Sequence, residues 1–260
     1  MSDLHKNLLS FKSAKKAMLS SLNHINKTEI KNLKDCEDRI LAKDIFSEIN
    51  VPEFDNSAVD GFGFINSNEI ERELEIIGES RPGKPFLKKI KKNQAIKIYT
   101  GAYILRDITR VNTVCMEEDC YTDGKKVRIT KKFKTGNNIR IKGEDVKKKQ
   151  RVFLSGRKIR SMDLAQLSSI GVKKIKVFKK IRVGIFSSGD ELCEFPKKKS
   201  KYEIYDANKL VLVSLFKKIG CEVNDLGIIK DNYSETKKLI LNKIKSLDAV
   251  SYTHLTLPTS

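Results

Sequence analysis

The stretch Ile181-Arg182-Val183-Gly184-Ile185-Phe186 constrains the fold most. It is a short, nearly continuous apolar run between Lys179-Lys180 and Ser187-Ser188-Gly189-Asp190-Glu191. A strand with one wet face alternates, whereas an unbroken run of this length reads as a strand buried on both faces of a parallel sheet. Leu210 to Phe216 fits a strand by composition. The cap near Asp206 and the stop at Gly220 favour a helix buried through that stretch. Glu222-Val223 to Ile229 is the next expected strand, with Asp231 at its end, and Ser234 is expected to cap a helix through Leu247. Strand, helix, strand, helix is the signature of a parallel sheet. Ligands on such sheets bind beyond the carboxyl ends of the strands. Ser187, Ser188, Gly189, Asp190 and Asp231 all fall at that edge, either as a site or as ordinary loop residues.

Upstream of Lys179-Lys180, where a domain boundary is expected, the pattern is different. Ser10 is placed to cap a helix whose Phe11, Ala14, Met18 and Leu22 form a stripe expected to face a core. Leu33 to Ile49 reads as strand, turn and strand. From Ile70 to Ile141 short strands follow one another: Leu74-Ile77 before Gly78, Ile96 to Ile98, Val111 to Met116, and a hairpin signal at Asp123-Gly124. Arg81-Pro82-Gly83-Lys84-Pro85 makes a hard turn. Val152-Phe153-Leu154 is a further strand. Ser161 is expected to cap a short helix that Gly171 ends, with Val172 to Val177 as a closing strand.

Three polar stretches stand out in this region. In Phe54-Asp55-Asn56-Ser57-Ala58-Val59-Asp60-Gly61, two carboxylates lie beside a glycine with no Lys or Arg among them. Asp, Asn and Ser favour turns through their own backbone bonds. In so basic a chain, though, the gap leaves anionic oxygens for a cation or a substrate hydroxyl. Thr100-Gly101 at a strand end offers a hydroxyl and backbone N–H groups to an oxyanion. Ile139-Arg140-Ile141 alternates into Glu144-Asp145, carboxylates that either cap the next element or hold a hard cation.

Composition narrows the function classes. The 260 residues carry a net charge of +19, which by itself suggests a polyanion as partner. Lysines outnumber arginines roughly four to one and are spread over nearly every segment. Base recognition uses arginine forks and aromatic platforms, and neither clusters here, so specific nucleic-acid binding is not expected. Cys36, Cys115, Cys120, Cys193 and Cys221 are odd in number and irregular in spacing, with no CxxC pair. A zinc site or disulfide framework is therefore not expected, and a reducing cytoplasm is. With no apolar run near 18 residues, a membrane span is not expected either.

FDNSAVDGF, TGA, GEDV, IRVGIFSSGDEL, YDANKLVL and DLGIIKDN, in this order and spacing, resemble the molybdopterin molybdenumtransferases. That is the bacterial molybdenum-insertion enzyme family, to which the C-terminal domain of gephyrin is related. The resemblance runs from about Ser10 to Val250. It implies insertion of molybdate into adenylylated molybdopterin with release of AMP, assisted by Mg²⁺. The implied fold is α/β multidomain: a β-rich domain and a mixed lid domain, then the first half of a three-layer αβα parallel-sheet molybdopterin-binding domain. The corresponding division is 1–48 and 146–178 for the lid, 49–145 for the β-rich domain and 179–250 for the partial α/β domain.

By position, Asp60, Thr100 and Asp145 resemble the family's acidic and hydroxyl groups on the β-rich side, and Asp190, Glu191 and Asp231 those on the sheet side. The implied catalytic groups are Asp60, Asp145 and Glu191. Thr100, Gly101, Ser187, Ser188, Gly189, Asp190 and Asp231 are the implied substrate-binding set, and Asp60, Asp190 and Glu191 the metal-holding one. The resemblance further implies a homodimer sharing its active site between subunits, and a molybdopterin adenylyltransferase as partner. After Val250 the family pattern leads to a Gly-Gly-x-Ser loop, whereas residues 251–260 contain no glycine. They are expected to be a non-native tail, and the chain an inactive fragment. A non-catalytic dimeric scaffold and a nonspecific polyanion binder are the alternatives from other classes.

Overall fold

The structure, a computed structural model, describes residues 9–22, 26–67 and 71–254. The expected tail beyond His254 and the opening of the β pattern at Ile70 lie outside the described residues. The N-terminal third contains helix α1 (Phe11–Ser21) and strands β1 (Thr28–Asn32), β2 (Ile45–Phe46), β3 (Asn56–Ser57), β4 (Gly61–Phe64) and β5 (Arg72–Ser80). The middle contains β6 (Gln94–Ile98), α2 (Arg106–Thr109), β7 (Thr113–Met116), β8 (Cys120–Thr122), β9 (Lys126–Ile129), β10 (Ile139–Arg140) and β11 (Arg151–Phe153). Then come α3 (Ser161–Ser169), β12 (Lys174–Phe178), β13 (Arg182–Ser188), β14 (Leu192–Cys193), β15 (Ile204–Tyr205) and α4 (Asn208–Lys218). β16 (Glu222–Ile229), α5 (Tyr233–Lys243) and β17 (Ala249–His254) complete the chain.

By contact the chain forms two compact units. The first, Lys43–Ile175 with Asn32–Asp35, is built on a six-stranded sheet in the order β7-β4-β6-β5-β9-β8. Its pairs are antiparallel except β5–β6, which run parallel because the chain crosses over through residues 81–93. Both faces of this sheet are covered. Phe62, Phe64, Leu74, Ala95, Cys115 and Val127 pack on one side, and Ile96, Ile98, Val111 and Val114 belong to a second cluster. The alternation Ala95/Ile96 and Val114/Cys115 sends neighbouring side chains to opposite faces, as the pleat requires. The hairpin at Asp123-Gly124 forms as its sequence predicts, with Gly124 at φ +87°. Helix α3 begins one residue earlier than expected. Ser161 is its first helical residue, and the Arg160 N–H is satisfied by Asp163 Oδ2 at 3.0 Å.

The second unit gathers Lys176–Ser260 with Cys36–Ala42 and Met1–Lys31. Its parallel sheet has the order β16-β13-β17, with β13 in the centre. The apolar run is therefore flanked on both edges, and Val183, Ile185 and Phe186 are buried. Strand β17 continues through Ser251 to His254, in register with Ile185 to Ser188. Ala207 is the cap residue of helix α4, and Asp206 just before it accepts the Lys209 N–H on its Oδ1 at 3.1 Å.

Three expectations in this unit are corrected. Helix α4 is not buried through Leu210 to Phe216. Leu212, Val213 and Phe216 are half-buried, while Leu210 (71% exposed) and Leu215 (53%) lie on an uncovered face. Ser234 falls inside α5, which starts at Tyr233. The stripe on α1 does not enter a core, although Ser10 caps the helix by accepting the Ser13 N–H; no described residue of α1 is buried. All five cysteines are free thiols, and no described helix is long and apolar enough to cross a membrane.

Candidate functional site

In the β-rich unit, Asp60 immediately precedes β4 and Thr100 follows β6, the strand beside it. Pairing of Gly61 with Ile98 brings the two together. Asp60 Oδ1 accepts both the Thr100 N–H (2.7 Å) and the Thr100 hydroxyl (2.8 Å). The backbone N–H, then the hydroxyl, and at longer range the Lys97 ammonium hold the Asp60 carboxyl below the ordinary carboxylate range. It is exposed and ionised, and its Oδ2 accepts no hydrogen bond from the described residues. Gly61 is glycine because of close approach rather than backbone freedom. A Cβ there would sit 1.8 Å from the Cys115 carbonyl oxygen on β7.

The expectation of free N–H groups at Thr100-Gly101 is corrected. Thr100 directs both its donors at Asp60, and the Gly101 N–H goes to Ser57 O at 2.8 Å. Nor are both carboxylates of the 54–61 stretch without a cation. Asp55 is paired with Arg106 (2.7 Å), a partner 51 residues away that no local pattern announces. Asp145 is placed by backbone bonds of its segment to Val51. Arg140 grips Asp145 Oδ2 at 2.6 Å and Glu144 Oε1 at 2.5 Å. Arg140 lies in the stretch read for its carboxylates, and its position five residues before Asp145 was the available signal.

In the α/β unit the sheet-edge residues converge after β13 and β16. Ser188 donates its hydroxyl to Asp231 Oδ1 at 2.8 Å, and Asp190 Oδ1 accepts the Asp231 N–H at 3.3 Å. Gly189 donates to Ile229 O at 3.2 Å, joining the two strand ends. The Glu191 carboxylate folds back over Gly189, where a Cβ would lie 2.7 Å from Oε2 and the Glu191 side chain would have to shift aside. Ser187 is fully buried, its hydroxyl 2.9 Å from that of Thr253 on β17. Lys230, which the sequence pattern does not single out although it adjoins Asp231, donates its ammonium to Asp190 O at 2.9 Å. Among the described residues no three His, Cys, Asp or Glu side chains converge into a metal cage.

A family profile described as "MoeA N-terminal region (domain I and II)" matches residues 9–171. The chain belongs to the MoeA family. A second profile, "Probable molybdopterin binding domain", matches residues 184–253, which include most of β13 and the carboxylates at its carboxyl end. The molybdopterin molybdenumtransferase of Haemophilus influenzae is 34% identical over 245 residues, covering 94% of this chain and 60% of the relative. That of a Nostoc species is 28% identical over 239 residues, covering 90% and 54%. The crystal structure of the molybdopterin biosynthesis MoeA protein of Pyrococcus horikoshii aligns with a TM-score of 0.87 at 31% identity, over 94% of this chain and 66% of that one. The MoeA-like α/β multidomain fold is thereby shown. The chain spans somewhat under two thirds of the length of these relatives.

Proposed function

We propose that the protein works in molybdenum cofactor biosynthesis as a molybdopterin molybdenumtransferase, inserting molybdate into adenylylated molybdopterin with release of AMP. The observation that carries this reading is the Ser188–Asp231–Asp190 cluster at the carboxyl ends of parallel strands, within the segment that matches a molybdopterin-binding family. Molybdate is a hard oxyanion that must lose oxide as the two dithiolene sulfurs take the metal, so the site needs hydroxyl donors and groups that accept and return protons. Ser188, in its bond to Asp231, supplies a hydroxyl, whereas that of Thr100 is committed to Asp60 and orients it. Asp60, held ionised by Thr100, suits holding a cation or accepting a proton better than donating one. Asp145, gripped by Arg140, is fixed in place, and Glu191 is the carboxylate expected to matter for turnover.

Mg²⁺ fits this donor set in the mode it usually adopts, with one or two carboxylates and the remaining positions left to water and substrate phosphate. Asp190 and Glu191 would hold it at the carboxyl edge of the parallel sheet, and Asp60 is the carboxylate that would hold a cation in the β-rich unit. It would supply Lewis-acid stabilisation of the charge that builds on the phosphoanhydride link to AMP. A homodimer, a molybdopterin adenylyltransferase as source of the substrate and a cytoplasmic location belong to the same proposal.

The test is molybdate-dependent release of AMP from adenylylated molybdopterin. Glu191→Gln should cut the rate with little change in melting temperature, and Asp60→Asn should abolish insertion while sparing pterin binding. AMP release that ignores molybdate, or an Asp60→Asn protein as active as the parent, would remove the proposal.

A further inference from the structure

Lys209 lies in the first turn of α4 and is only 6% exposed. Lysine is rarely buried unless paired. Here the ammonium donates to Glu194 Oε1 at 2.7 Å and lies 3.1 Å from Asp225 Oδ1. Burial opposes its charge, but the bonds to Glu194 and then Asp225 outweigh that and keep the amine charged above its ordinary range.

The two carboxylates come from different elements. Glu194 follows Asp190 and Glu191 in the segment leaving β13, three residues after Glu191. Asp225 belongs to β16, the strand that delivers Asp231 six residues later. One buried cation thus joins the two segments whose ends carry the candidate site. Nearer the site the same two segments are joined by the Ser188 hydroxyl to Asp231 Oδ1 at 2.8 Å, the Lys230 ammonium to Asp190 O at 2.9 Å, Gly189 N–H to Ile229 O at 3.2 Å and Asp231 N–H to Asp190 Oδ1 at 3.3 Å. The side-chain bonds among these lie at the exposed edge, where water competes, whereas Lys209 ties the segments from a buried position.

We propose that Lys209 is a positioning residue, whose ammonium clamps the Asp190–Glu191 segment to the strand carrying Asp231 and so sets the spacing of these carboxylates. Its importance for catalysis rests on the reading of that edge as the substrate edge; the clamp itself does not.

The test is residue-resolved hydrogen exchange on the 260-residue chain. Lys209→Met alone leaves Glu194 and Asp225 facing each other without a cation, so it can destabilise the unit for a trivial reason. The balanced variant, Lys209→Met with Glu194→Gln and Asp225→Asn, removes all three charges and with them that repulsion, and leaves the segments without the clamp. Exchange at Gly189 and Asp231 in this variant should accelerate at least about tenfold while Val183 and Ile185 in β13 keep their parental rates, and Lys209→Arg should stay near the parent. Parental rates at Gly189 and Asp231 in the balanced variant, or a rise shared equally with Val183 and Ile185, would overturn the proposal. Failure of the functional reading would show differently, as an absence of substrate binding by a parent chain whose exchange pattern is intact.

Discussion

Asp60 and Gly61 show how one dipeptide does two jobs. Asp60 meets Thr100 only because β4 and β6 pair in the observed register, and β4 reaches β7 only because residue 61 has no Cβ. Gly61→Ala would drive a methyl into the Cys115 backbone carbonyl, which cannot swing away as a side chain can. The expected loss is about 3 kcal/mol or more, from overpacking at a strand pair. Urea denaturation checks it; a variant within about 0.5 kcal/mol of the parent would show that the sheet yields there. At this scale the sequence was legible in part. The close approach at Gly61 follows from strand pairing that the sequence signals only as a glycine beside an aspartate, and the pairing of Asp55 with Arg106 depends on chain reversals with no local periodicity.

Elements were most legible where burial leaves one pattern. The apolar run of β13 could be read as a central parallel strand because both its faces and both its edges are covered. The helices were less so, since an apolar stripe on α1 or α4 looks the same whether or not something packs against it. Strands β13 and β17 are also fastened at their starts, where Arg182 forks onto Asp248 with both bonds at 3.1 Å. The guanidinium of Arg182, then its backbone N–H, holds the Asp248 carboxyl down at about 2. An unfolded aspartate titrates near 3.9. The contribution is therefore fully present above about pH 4 and is lost as pH falls through about 2. Asp248→Asn should cost about 1 kcal/mol at pH 6, allowing for solvent screening, and the gap from the parent should close on acidification toward pH 2. Urea midpoints of both proteins across that range would show it, and a gap independent of pH would assign the loss to shape rather than charge.

The two units differ in how completely they cover their apolar surface. The β-rich unit buries clusters on both faces of its sheet, whereas the α/β unit leaves Leu210 and Leu215 of α4 and the following Ile219 more than half exposed. Uncovered apolar surface forfeits about 25 cal/mol per Å² of stabilisation, a large fraction of the roughly 5–15 kcal/mol of a typical domain. Limited trypsin digestion should therefore cut first beyond Lys179 and leave Lys43–Ile175 resistant. First cleavage within the six-stranded sheet would reverse that ranking. On the function proposed above, molybdopterin is handled at the carboxyl edge of the parallel sheet. Calorimetric titration of the 260-residue chain with adenylylated molybdopterin in Mg²⁺, comparing the parent with Asp190→Asn/Asp231→Asn, is the test. Saturable binding by the parent, weakened at least about tenfold (about 1.4 kcal/mol) in the variant, is predicted; no binding by the parent, or equal binding by both, would contradict it.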